Sequence, residues 1–313
     1  MSHTSPVRAP SPEPDPSPVP DRTDASTAVG VLAEANRAHG LRFRLLDGLR
    51  GGFQSGTWLL GDPDEGPGDA PRAVLKWAPG RESSERILRA ATAVRKVRAA
   101  GYRTPAWLAA GVSGDGFPYH VQRFVPGHSA PALTADIAGR LVPLLESQRG
   151  LDADPGHCWS RYVQDQLAGG GDGARRALAA SGARAREFVA ALDALVTASD
   201  GAELPAGDLV HGDFRLGNVL FSPERVPTAV DVEALGSGTR AYDYATLLTE
   251  DTVDPAGWEV VRTAGERVAG PAVLARCFAL VAFELADFVR LRDPGRLSVL
   301  LGPLTDRARA LTT

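Results

Sequence analysis

An α+β fold is predicted for this 313-residue chain, with a small sheet lobe followed by a larger helical lobe. Three observations predict it. Between residues 42 and 125, the short apolar runs TWLLG, AVLKWA, PAWLAAG and YHVQRFV are punctuated by GDPDEGPGDAP and SGDG, which reads as hairpin-connected strands. From residue 131 onward nearly everything has helical period, as in ALTADIAGRLVPLLESQ, ARAREFVAALDALVTA and AVLARCFALVAFELADFV. Residues 208 to 233 break that rhythm as a loop followed by a hairpin, NVLF then the turn SPERVP then TAVDVE.

Taken in order, residues 1–22 form a tail rich in Pro, Ser, Asp and Glu, which predicts disorder with some polyproline character. The stretch TDASTAVGVLAEANRAHG carries capping residues at its start and Gly40 where a helix would stop. Within the strand region, SSERILRAATAVRKVRAA reads as one helix ended by Gly101. The expected division is a sheet lobe over 23–127 and a helical lobe over 128–313, with 43% hydrophobic residues to build the cores. The run GGGDG, 169 to 173, reads as a flexible connection between two helices.

Composition excludes several classes. The net charge is −4 and no basic block interleaves with aromatics, which argues against a nucleic-acid groove and favours a neutral or cationic small partner. The C-terminal apolar segment is interrupted by Arg276, Glu284 and Asp287, so it reads as a buried helix and not a membrane span. Cys158 and Cys277 follow no metal spacing, and the N-terminal tail has no apolar signal region. The expectation is a soluble, cytoplasmic protein with reduced core thiols.

The chemistry gathers around HGDFRLGN, residues 211 to 218, which holds one of two asparagines in the chain. Asp213 and Asn218 share a loop, and the following hairpin returns Asp231 to the same end. Asn218 and Asp231 are placed to share a hard cation such as Mg²⁺ through oxygen, leaving Asp213 to orient a hydroxyl and take its proton. The bland alternative is a loop of Asx turns with a buried asparagine. His211 reads as support for the loop's shape. Lysine is rare, with only Lys76 and Lys96 among 34 basic residues. Lys96 lies on a charged helix face, whereas Lys76 sits in the apolar strand AVLKWA, where an ammonium can meet phosphate as a point charge or simply snorkel. Upstream, LRGGFQSGTWLL offers Gly51, Gly52 and Gly56 as a turn whose N–H groups could approach phosphate oxygens; an ordinary glycine hairpin is the alternative.

In that order of signals the sequence resembles the aminoglycoside phosphotransferase and choline kinase-like family, small-molecule kinases with a two-lobed protein-kinase-like fold. The likeness rests on LVHGDFRLGNVLF followed by AVDVEALGSGTRAYDYATLL and extends weakly over residues 42 to 310. It implies that Asp213 is the catalytic base, that Asn218 and Asp231 hold Mg²⁺, and that Lys76 meets the α- and β-phosphates of ATP, with GTP the alternative nucleotide. It also implies that adenine meets backbone near Arg123 to Val125, in YHVQRFVPG. Glu233 falls at an acidic position with a supporting metal role. Asp243 would be structural, its carboxylate satisfying N–H groups at a helix start. The chain departs from the family at the helix after the lysine strand, where ILRAATAV lacks the mid-helix glutamate that pairs with the lysine. Glu82 and Glu85 are the available substitutes, or the pair is missing.

The implied activity is transfer of a γ-phosphate to a hydroxyl of a small molecule, an aminoglycoside or other antibiotic, in resistance or self-protection. The alternatives are a metabolic kinase for an amino alcohol, sugar or amino acid, and a nucleotide-binding pseudokinase. Asp165, Glu284 and Asp287 are candidates for holding a cationic acceptor, with solvated helix faces the simpler explanation for each.

Overall fold

A computed structural model describes residues 21–49, 56–64, 70–80 and 84–312. Most of the expected tail, Gly51, Gly52 and Glu82 lie outside these residues. Helix α1 (Ala25–His39) has both ends set locally. The Asp24 carboxylate accepts from the Ser26 and Thr27 N–H groups at 3.1 and 3.0 Å, and Gly40 turns the chain out at φ 65°.

Five strands follow: β1 (Arg44–Gly48), β2 (Gly56–Gly61), β3 (Ala73–Trp77), β4 (Trp107–Val112) and β5 (Pro118–Arg123). They form one antiparallel sheet in the order β1-β2-β3-β5-β4. Leu60, Leu75, Trp77 and Val121 pack with Ala28, Val31, Leu32 and Ala35 of α1 to make the smaller core. The period of two along β3 turns Lys76 to the face opposite Leu75 and Trp77, between Thr57 on β2 and His120 on β5. Helix α2 (Ser84–Ala99), between β3 and β4, buries Ala93, Val94 and Val97 in the larger core, so it ties the sheet to the helices.

The larger core is built by α3 (Ala135–Glu146), α4 (Trp159–Asp165), α5 (Asp172–Ala179), α6 (Ala183–Ala198), α7 (Ala241–Leu248), α8 (Pro255–Ala269), α9 (Pro271–Arg292) and α10 (Pro294–Ala310). Helix α9 lies at its centre, buried along most of its length from Val273 to Val289, with α6, α7, α8 and α10 against it. Two short antiparallel pairs are set into this lobe: β6 (Asp208–Val210) with β9 (Gly236–Gly238), and β7 (Val219–Phe221) with β8 (Pro227–Ala229).

The structure differs from expectation in two places. The glycine run is a kink and not a free connection: a wide helical turn, Gln166–Gly170, continues α4, and Gly169 at φ 121° breaks the direction before α5 begins. The segment TAVDVE is a strand only to Ala229, because Asp231 takes a left-handed conformation, φ 62° and ψ 52°, and Val232–Ala234 coils into a single 3₁₀ turn. Aspartate tolerates that region better than a branched residue would. Cys158 is half-buried, Cys277 is buried, and both are free thiols. Among the described residues no helix is long and apolar enough to cross a membrane.

Candidate active site

The loop after β6 is shaped before any ligand arrives. Asp243, fully buried in the first turn of α7, accepts the His211 N–H at 2.7 Å, the Gly212 N–H at 3.0 Å and the Gln148 side-chain amide at 2.8 Å. Burial pushes its carboxyl up, while His211, the backbone donors and Gln148 hold it down. The donors it satisfies belong to the loop and to Gln148 and not, as expected, to its own helix. An acid that is completely dry is used here to fix the path of a backbone thirty residues earlier.

His211 is also buried. Its Nε2 donates to the Val230 carbonyl at 2.9 Å and its Nδ1 accepts the Asp213 N–H at 3.3 Å, so both ring nitrogens are spent on the backbone of the loop and the hairpin. Gly212 sits at φ 83°, and a Cβ there would lie 2.3 Å from the Trp159 ring. No other residue fits between that indole and the loop.

With the loop so held, Asp213 and Asn218 face each other. The Asn218 Nδ2 donates to the Asp213 Oδ2 and to the Asp213 carbonyl, both at 2.9 Å, and the other Asp213 oxygen accepts from the Arg215 Nε at 2.9 Å. Because Nδ2 is used twice, the Asn218 Oδ1 is the amide atom left for another partner.

Across the cleft, Lys76 reaches out of the sheet to the turn after β8. Its Nζ lies 2.5 Å from the Asp231 Oδ1 and 3.0 Å from the Glu233 Oε1. Burial works against the charge on Lys76, but the two carboxylates more than restore it. Burial would likewise raise Glu233; the charge of Lys76 together with hydrogen bonds from Asp231, Lys76 and the backbone outweighs it and holds that carboxyl down, to about 2. Asp231 is pushed up by burial and by Glu233 beside it. His120, stacked on Trp107 with centroids 3.9 Å apart, is held neutral by burial and by Lys76. The sequence left open whether Glu85 pairs with Lys76. It does not: Glu85 is exposed on α2, and the partners come from the far lobe.

Lys76, Asp213, Asn218, Asp231 and Glu233 line one cleft of about 790 Å³. Gly56, Arg123 and Val125 are not among its lining residues. A Cβ on Gly56 would fall 2.2 Å from the Arg22 carbonyl and 2.9 Å from the Trp77 Nε1, so backbone packing alone requires glycine there. Arg123 ends β5, is exposed, and donates its N–H to the Ala106 carbonyl at 2.8 Å; Val125 lies in the connection that follows. Among the described residues no three His, Cys, Asp or Glu side chains are grouped to hold a metal; Asn218 and Asp231, the pair expected to hold one, line the same cleft.

The helical wall of the cleft holds Glu284, already a candidate from the sequence, among neighbours that the sequence reading missed. Tyr242, Thr246 and Thr249 line it from α7 and its end, and Val281, Glu284, Leu285 and Phe288 from α9. Both sets follow the spacing of a helix face, and that is the signal that could have found them. Trp159 and Tyr162 of α4 complete an aromatic corner, with Trp159 ring centroids 5.6 Å from Tyr162 and 4.7 Å from Tyr242. Glu284 accepts from the Tyr162 and Tyr242 hydroxyls, and burial raises its carboxyl. Of the three candidate acids for an acceptor, Glu284 alone faces the cleft; Asp287 is paired with Arg290 at 2.7 Å, and Asp165 is not part of the lining.

Residues 46–279 match the model of the phosphotransferase enzyme family. No curated protein matches the sequence significantly. Among solved structures, the chain is similar to a thermostable mutant of the aminoglycoside phosphotransferase APH(4)-Ia in ternary complex with ADP and hygromycin B, at 15% identity and a TM-score of 0.63, covering 91% of this chain and 98% of that one. It is similar to the macrolide 2'-phosphotransferase MphH from Brachybacterium faecium, at 18% identity and a TM-score of 0.56, covering 89% and 98%. The GDP complex of aminoglycoside 2'-phosphotransferase-IIIa matches at 16% identity and a TM-score of 0.58, covering 90% and 98%. At such identities these neighbours establish the fold, which is the two-lobed α+β arrangement expected from the sequence. The family model spans most of the chain and carries the conclusion that this protein belongs to the phosphotransferase enzyme family.

Proposed function

We propose that the protein is an ATP- and Mg²⁺-dependent phosphotransferase that moves the γ-phosphoryl group to a hydroxyl of a small molecule. The observation that carries this reading is the pairing of Asp213 with Asn218 at 2.9 Å in the cleft that Lys76, Asp231 and Glu233 also line. In the proposed reaction the acceptor oxygen bonds to the γ-phosphorus, the bridge to the β-phosphate breaks, and ADP leaves with its electrons. Asp213 orients the hydroxyl and takes its proton. Arg215 on one Asp213 oxygen and Asn218 on the other fix the carboxylate so that it meets the acceptor in one orientation.

The donor set fits magnesium. The Asn218 Oδ1 and the Asp231 carboxylate are hard oxygen ligands, few in number, as suits an ion that keeps waters and phosphate oxygens as its other partners. When bound, the ion neutralises charge on the transferred phosphoryl group. Lys76 binds phosphate as a point charge, and Glu233 holds it in place from the opposite lobe.

For the acceptor, the fold neighbours include enzymes named for aminoglycosides and a macrolide, and we place the substrate in that antibiotic range, with a metabolic amino alcohol, sugar or amino acid as the alternative. The aromatic corner of Trp159, Tyr162 and Tyr242 offers an apolar seat, and Glu284 beside it favours one amine on the acceptor. A screen of purified protein for nucleotide consumption, with ATP and GTP against antibiotics and metabolites, tests the reading. Consumption that requires an acceptor and disappears with EDTA supports it; nucleotide binding with no transfer to any acceptor or water would return the pseudokinase alternative.

A further inference from the structure

Three cations line the cleft, Lys76, Arg86 and Arg215, against the carboxylates of Asp213, Asp231, Glu233, Glu250, Asp251 and Glu284. Two of the three are matched. Lys76 is bound to Asp231 and Glu233, and Arg215 to Asp213. Arg86 is different: among the described residues it makes no hydrogen bond or ion pair, and its Nε is buried with no partner. A guanidinium stays charged at any working pH, so a buried, unsatisfied donor on it is a standing cost that an anion would remove.

The helix that carries it is pinned. Arg89, one turn on, donates to the Asp154 carboxylate and to the Leu235 carbonyl, both at 2.9 Å. Leu235 follows directly on the turn that contains Glu233, so α2 is fastened to the segment that holds Lys76. Ile87 beside Arg86 is buried and faces the same cleft. The side chain is therefore offered from a fixed support and not from a swinging loop. With twice as many acids as cations on its walls, the cleft repels a polyphosphate unless its cations are turned to it, and Arg86 is the cation whose donors are not already engaged.

We propose that Arg86 is a second phosphate-binding residue, which reaches the nucleotide's phosphate chain from α2 alongside Lys76. Its planar fork can meet two phosphate oxygens at once. The proposal rests on the nucleotide reading above. It is tested by calorimetry with Mg·ATP and with adenosine on the wild type, Arg86→Ala and Arg86→Gln, together with the melting temperature of each. Mg·ATP affinity should fall about tenfold or more in both variants, the size of one charge-assisted hydrogen bond. Adenosine affinity should stay within twofold, and the melting temperature should not fall, since no partner is lost. Variants that bind Mg·ATP within twofold of wild type overturn the proposal and leave the phosphotransferase reading intact, and an equal loss for adenosine overturns it in favour of a packing role. A wild type that binds no Mg·ATP overturns both.

Discussion

On the helical side of the cleft, the acids are met from within their own lobe. Asp243 takes two loop N–H groups and the Gln148 amide, the Glu250 carboxylate accepts the Leu216 N–H at 2.7 Å, and His211 spends both nitrogens on main-chain atoms. On the sheet side, charge is met by charge carried over from the other lobe: Lys76 leaves β3 to find Asp231 and Glu233, and Arg86 has found nothing. One wall is rigid because its polar groups are satisfied within itself. The other is held by a bridge, and a bridge made of the groups that a nucleotide and its cation would need is open to rearrangement when they bind.

The largest expected effect lies on the rigid wall. We predict that Asp243→Ala loses about 3 kcal/mol of stability or more in urea unfolding, because the buried His211 N–H and Gln148 amide and the half-buried Gly212 N–H lose their shared carboxylate. A loss under about 1 kcal/mol would mean that the loop is held by something other than this hub, and the comparison between the walls would fail.

Glu233→Gln sharpens the comparison from the other side. Mg·ATP affinity is expected to fall about tenfold, because Lys76 loses an anchor, with stability at neutral pH changing less than in Asp243→Ala. Glu85→Gln should be silent in the same titration. The pH dependence has a definite sign. The Glu233 carboxyl is depressed in the folded protein, to about 2 from an ordinary 4.5, so its stabilising contribution is present above pH 4.5 and is lost as the pH falls toward 2. The gap in stability between wild type and Glu233→Gln should narrow over that window; a gap that is constant with pH would show that the carboxylate charge is not what holds Lys76.

A smaller effect is expected at Glu284. Its carboxyl is raised by burial, so ionising it costs the folded state, and that cost is present above its folded pKa and vanishes as the acid is protonated. Glu284→Gln, which keeps an oxygen for the Tyr162 and Tyr242 hydroxyls, should melt at or above wild type at pH 8, with the difference disappearing by pH 4. A variant less stable than wild type at pH 8 would mean that the two tyrosines repay the whole cost of the buried charge.

The same contrast decides what could be read from the sequence. The caps of α1, the strands β2 to β5 and the central helix α9 were legible, because Asp24, Gly40 and the apolar periods act over a few residues. The Asp213, Asn218 and Asp231 set was legible because a short loop and one hairpin bring the three together. The anchor of Lys76 was not: its partners are 155 and 157 residues away, and no local pattern points from β3 to a turn in the other lobe. Gly56 was expected at a phosphate, yet the nearest atom to its missing side chain is the Arg22 carbonyl, a contact between distant segments that composition cannot show. The kink at Gly169 looked like a loop because a run of glycines gives no sign of whether neighbouring helices keep the chain coiled. Trp159 went unnoticed because its role appears only when Gly212 is laid against its ring.

The central claim is that Asp213 handles the acceptor hydroxyl while Asn218 and Asp231 hold the metal. The direct test is Asp213→Asn, measured twice: Mg·ATP affinity by calorimetry, and turnover with the acceptor that the screen identifies. The substitution removes the proton acceptor and the orienting charge but no proposed metal ligand, so the predicted result is a Kd near wild type with kcat lower by a factor on the order of 10² or more. Near-normal turnover in Asp213→Asn would contradict the assignment.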